Sequence, residues 1–191
     1  MAILLIMGFE RSRNNTDVGL QKRQPVQFSH QHHVSHLGLH CVYCHTSVEV
    51  SSFAGIPPTH TCMSCHSQIW ITSPMLEPVR ASYRTGQSIE WNRIYDLPQY
   101  VFFNHSIHLK KGIGCSSCHG RVDEMNLMSK AATLQMEWCL NCHREPEKYI
   151  RPRELIFQMD YEYPSNQLEV GRKLVEEYKV QKLLDCYTCH R

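Results

Sequence analysis

The sequence predicts a fold of short α-helices and long irregular links, with little β-structure, wound around material the chain does not itself supply. Three observations predict it. Only 42% of the 191 residues are hydrophobic and 9% aromatic, a modest core for this length. Nine glycines and nine prolines interrupt regular structure. Ten cysteines fall into five copies of Cys-x-x-Cys-His.

That repeated motif says what the chain is wound around. In Cys115-Ser116-Ser117-Cys118-His119 each thiol can add to one vinyl group of a haem, and the histidine then meets the iron from below. The pattern recurs at Cys41/Cys44/His45, Cys62/Cys65/His66, Cys139/Cys142/His143 and Cys186/Cys189/His190. Tetrahedral zinc sites and disulfides also use paired cysteines. Neither needs a histidine after every second cysteine, and here it follows all five times. The expected fold class is therefore a multihaem cytochrome c, mostly irregular with short helices, wrapped around five covalently attached c-type haems. Their macrocycles supply the missing apolar mass, as metals and disulfides do in other core-poor chains. The haems also carry two propionates each, which turn the formal charge of +2 negative. With no polybasic run, a nucleic-acid partner is excluded.

In chain order, residues 1–24 read as the remnant of a membrane anchor or signal followed by a polar linker. The apolar stretch Ala2-Ile3-Leu4-Leu5-Ile6 is shorter than the roughly 20 residues of a spanning helix or the about 7–15 of a signal core. Residues 25–72 and 101–145 form two repeats. Phe28-Ser29-His30-Gln31-His32-His33 and Phe103-Asn104-His105-Ser106-Ile107-His108 share Phe-x-His-x-x-His, and two haem motifs follow in each case. Each repeat should be a two-haem module. A second histidine closes the open axial position of an iron, and residues three apart on a turn share a face. His30 and His33, and likewise His105 and His108, are therefore the expected distal ligands. His32, His36, His40 and His60 are expected to be solvent-facing imidazoles.

The fifth motif then lacks a distal histidine. Methionine sulfur is the other common partner, and Met136 is the first candidate, Met125 the second, ahead of Met128 and Met159. Helical spacing extends from Leu127 to Trp138. Residues 73–100 read as a connector with a short helix around Glu77 to Tyr83. In the C-terminal segment, residues 146–191, the charged, proline-broken run from Arg144 to Arg153 is expected on the surface, where arginines can pair haem propionates. Asn166 and Glu169 form a capping-box arrangement opening a helix of about 18 residues that ends at the fifth motif.

Four stretches resemble the pentahaem cytochrome c subunit of bacterial alternative complex III: Gln24 to Val34, Phe53 to Thr59, Cys118 to Met125 and Trp138 to Arg144. Five motifs agree in order, and the likeness runs from about residue 25 to the end. The paired-histidine module itself is similar to c3/c7-type multihaem cytochromes. The resemblance implies a subunit on the periplasmic side of the cytoplasmic membrane, within a quinol-oxidising complex. It implies as partners an iron–sulfur subunit, quinol-binding integral membrane subunits and a monohaem cytochrome c, with a terminal oxidase downstream. The expected role is a five-iron wire, with the redox chemistry belonging to the haems, and no catalysis by this chain alone. A free periplasmic shuttle, a multihaem subunit of another quinone-linked complex and a multihaem reductase are the rivals. The last would need an iron with an open axial site.

Overall fold

Helices here are short because motif, glycine and proline succeed one another before an apolar stripe can lengthen. The computed structural model describes residues 2–190. Met1 and Arg191, the ends of the predicted first and last segments, lie outside them. The helices are α1 (Ala2–Glu10), α2 (Arg13–Thr16), α3 (Cys41–Cys44), α4 (Thr59–His66), α5 (Glu77–Thr85), α6 (His105–Lys110), α7 (Cys115–His119), α8 (Met136–Arg144), α9 (Gln167–Glu177) and α10 (Cys186–Cys189). A π-helical turn spans Gln31–His36. Among the described residues there is no strand, only isolated bridges such as Val18 to Lys130 and Ile113 to Ile150. No described helix is long and apolar enough to cross a membrane.

The described hydrophobic core is split into three small clusters. Val26, Leu76 and Val79 pack under α4 and α5, where Cys62 and Met63 join them. Val48, Leu109 and Ile156 tie the first repeat to the second. Ile150, Leu174 and Tyr178 seat α9. No one cluster could organise a chain of this length.

Three expectations are corrected. Residues 127–135 are not helical: the helix begins at Met136, because 129–130 are drawn into bridges with Gln21 and Val18. The C-terminal helix has 11 residues rather than about 18. It stops at Tyr178, and Lys179 takes a left-handed φ of 51°, so Leu183 leaves the apolar face and is exposed. Its Asn166 cap makes no side-chain hydrogen bond to the backbone. The run from Arg144 to Arg153 does not lie wholly on the surface, since Ile150 and Arg151 are the most deeply buried large side chains described.

The cap of α6 has a consequence for the site. The Asn104 side chain accepts a hydrogen bond from the Ile107 amide at 3.3 Å and another from the Ser106 hydroxyl at 2.8 Å. Asn104→Ala should cost about 1 kcal/mol. Because α6 carries His105 and His108, the loss should also broaden the low-spin haem signals in electron paramagnetic resonance. A denaturation curve and spectrum matching the parent would show that the cap does not hold the histidines.

Candidate haem-binding site

Every Cys-x-x-Cys-His motif is built on a helical turn, which brings its two thiols to one side and sends the histidine on from the end. None of the ten cysteines is in a disulfide. Among the described residues no three His, Cys, Asp or Glu side chains converge as a zinc ion would require.

The histidines converge in pairs instead. His33 faces His66 with ring centres 6.3 Å apart, His105 faces His119 at 6.5 Å, and His108 faces His143 at 6.2 Å. A ligating imidazole nitrogen sits about 2.0 Å from its metal, so two rings on opposite sides of one iron have centres roughly 6 Å apart. The ring of the fourth histidine, His30, stands edge-on to Phe28 at 4.9 Å.

Their hydrogen bonds orient the rings for the same purpose. Nδ1 of His33 lies 2.8 Å from the Ser29 carbonyl, and that of His108 lies 2.7 Å from the Asn104 carbonyl. Nδ1 of His105 meets Ser52 O at 2.8 Å, His45 meets Gly55 O at 2.7 Å, His66 meets Ile69 O at 3.3 Å and His143 meets Leu183 O at 3.0 Å. A carbonyl bound at Nδ1 makes that nitrogen the donor and leaves Nε2 as a lone-pair ligand. His30 and His119 have buried Nδ1 atoms with no protein partner.

The two repeats match in detail. Phe28 stands edge-on to His30 at 4.9 Å and stacks on His33 at 4.4 Å. Phe103 stands edge-on to His105 at 4.7 Å and stacks on His108 at 4.4 Å. The aromatic ring thus fixes both histidines of a pair at once, which explains Phe in Phe-x-His-x-x-His.

Electrostatics suit neutral ligands. Burial lowers His30 and His119 to about 4 each, with neighbouring histidines adding to the effect. His33 and His108 are also lowered, again chiefly by burial. Burial raises Cys115 and Cys142 to about 11 and Cys118 to about 12. A neutral imidazole is the form that binds metal.

The fifth motif departs from this pattern. The ring beside His190 is Tyr100, with centres 5.8 Å apart, and Val101 bridges to His190. Met136 lies one turn before Cys139 on α8 and is 65% exposed. Met136 thus shares α8 with the fourth motif, whose His143 meets the Leu183 carbonyl shortly before the fifth. Met125 is not brought there: its sulfur accepts a hydrogen bond from Ser129, and its methyl lies against Gly120, beside the third motif. His32, His36, His40 and His60 are all exposed.

One residue was missed by sequence reasoning. Arg151 is 1% exposed. Its guanidinium lies flat on Gly114, directly before the third motif, where a Cβ would collide with it. It donates to the Gln158 carbonyl at 3.0 Å and the Ser116 hydroxyl at 3.1 Å, and sits 4.4 Å from the centre of the Tyr161 ring. It thereby braces the loop between Cys115 and Cys118. The glycine before the motif was the available signal.

Short helices without a sheet, threaded between facing imidazoles and free cysteine pairs, define a cytochrome c7-like multihaem fold, and the residues present fit haem c. Residues 101–191 match the family model described as cytochrome c7 and related cytochrome c. The chain is also similar to a protein of Nitratidesulfovibrio vulgaris (strain Hildenborough) named menaquinone reductase, multiheme cytochrome c subunit. The two are 39% identical over 100 residues, which cover 52% of this chain and 47% of the relative. The chain thus spans about half the length of the curated relative it matches.

Proposed function

We propose that this chain is a five-haem electron-transfer subunit of a quinone-linked membrane complex. The observation that carries it is the opposition of His33 to His66, His105 to His119 and His108 to His143, at 6.2–6.5 Å across spaces closed by cysteine pairs. Each haem, when bound, supplies a one-electron couple. Cys41, Cys44, Cys62, Cys65, Cys115, Cys118, Cys139, Cys142, Cys186 and Cys189 hold the five macrocycles. His45, His66, His119, His143 and His190 are the proximal ligands, and His30, His33, His105 and His108 the distal ones. Met136 closes the fifth site. Ligation on both sides leaves no iron position for a substrate, which separates this role from that of a reductase.

The likeness to a protein named as a menaquinone reductase subunit supports the quinone link. In the alternative complex III arrangement, electrons enter from quinol through integral membrane subunits and an iron–sulfur subunit. They leave through a monohaem cytochrome c to a terminal oxidase. The relative's name favours a second arrangement in which the same wire delivers electrons towards quinone. Both put the chain at the periplasmic face of the membrane.

The test is direct. Pyridine haemochrome analysis and intact mass should give five haems per chain, and the reduced protein should bind no stoichiometric carbon monoxide. His108→Met should give one haem a methionine charge-transfer band and raise its reduction potential. A variant with an unaltered spectrum would remove His108 from the ligand set. Purification of the chain with quinone-reactive membrane subunits tests the complex, and recovery alone in the soluble fraction would make it a free shuttle.

A further inference from the structure

We propose that the five attachment motifs are strung in the spatial order second, first, third, fourth, fifth. The two repeats then meet through their first motifs, and the path ends at Cys62–His66 on one side and Cys186–His190 on the other. The inference rests on the five-haem function proposed above.

The junction is a reciprocal exchange. From the first repeat, the Gln31 amide donates to the Met125 carbonyl at 3.0 Å, Ser29 Oγ to Asn126 Oδ1 at 2.9 Å and Ser35 Oγ to the Asp123 carbonyl at 2.5 Å. From the second, the His105 and Ser106 amides donate to the Ser52 and Ser51 carbonyls at 3.2 and 3.1 Å, and His105 Nδ1 reaches Ser52 O. Each repeat thus lays its paired-histidine segment on the stretch following the other repeat's first motif. An arrangement of this kind is self-complementary, as at a two-fold interface. It brings the first and third motifs together: His105, whose ring faces His119 at 6.5 Å, is bonded through Nδ1 to the Ser52 carbonyl just past the first motif.

The remaining links follow the same logic. The first and second motifs touch, with Tyr43 OH 3.1 Å from Ser64 Oγ and Cys44 acting on Cys62. The third and fourth adjoin, since His105 and His108, on the one helix α6, face His119 and His143 respectively. The fourth and fifth adjoin through His143 and the Leu183 carbonyl, and through Cys139 and Cys189. Ring contacts and shared helical turns follow this order as far as the fourth motif, from His66 to His33 and His30 in the first repeat and from His119 to His105, His108 and His143 in the second. With the haems bound, each transfer along the path would oxidise one ferrous iron and reduce the next ferric one. The two ends of the proposed path carry exposed apolar side chains, with Trp70 60% exposed just past the second motif and Tyr187 88% exposed within the fifth.

The order differs from chain order in what the first site separates. A ruthenium–bipyridine photoreductant on Tyr187→His injects electrons at the fifth site, and His33→Met marks the second site with its own charge-transfer band. The expected result is arrival at the marked site in the five-haem protein, and its loss when Cys41→Ala and Cys44→Ala delete the first haem. Retained arrival would overturn the order, because a first site lying at the end of a chain-ordered file is dispensable. A full-haem variant guards against misfolding. His30→Met should displace the potentials of both the second and the third sites in an NMR-followed redox titration. A third site left unmoved would overturn the order. Haem counting separates the two proposals: fewer than five haems in the parent protein sinks the function, whereas five haems with an unmoved third site sinks the order alone.

Discussion

Stripped of its haems, this chain is expected not to fold. The described hydrophobic core consists of three clusters, each built on three buried residues, while large apolar side chains such as Val50, Phe53 and Tyr187 are exposed on the polypeptide. Fixing each backbone residue costs about 1–2 kcal/mol, and clusters of this size cannot offset that over so many irregular links. Chain produced without haem attachment should show a disordered far-ultraviolet circular dichroism spectrum and no cooperative urea transition, whereas the haem-loaded protein should show a steep one. A cooperative transition in the haem-free chain would mean that the polypeptide has a core of its own.

The second large effect is expected at Gly171→Ala. Gly171 is buried in α9 where the helix crosses the turn Pro146–Lys148, and an added Cβ would fall inside the Glu147 carbonyl group. Alanine gains roughly 1 kcal/mol of helix propensity over glycine. Against that stands a collision with backbone, which cannot swing aside as a side chain would. The net expectation is a loss of about 3 kcal/mol, the upper part of the range for overpacking. It should be read as a lower urea midpoint with an unchanged slope. Because α9 leads into the fifth motif, the signal of the haem proposed for that motif should broaden before those of the others. An unaltered midpoint would show that the helix can ride away from the turn without cost.

How much of this was legible in the sequence follows from the range of the forces involved. The attachment motifs are local: five residues on one turn decide them, so they could be read directly. Phe-x-His-x-x-His is also local, and the structure supplies its reason, since one ring holds both imidazoles. The end of the last helix was misplaced because an apolar pattern continued through Leu183 while the chain turned at Lys179. Arg151 looked like one more charge in an exposed run. Its burial depends on Gly114, Ser116 and Tyr161, which chain position does not connect to it. The order of the motifs was beyond sequence for the same reason, because the contacts that set it join residues far apart.

Those long-range contacts also govern how the molecule comes into being. Ser29 and Asn126 are 97 positions apart and His105 and Ser52 are 53 apart. The first repeat therefore supplies its own histidines but cannot seat the segment that carries them from its own residues, since Ser29, Gln31 and Ser35 bond to the stretch 123–126. That seat is complete only once the stretch after the third motif is present. Loop closures of this size make folding slow, and they make it concerted: the molecule matures as one interlocked body rather than as two halves joined afterwards.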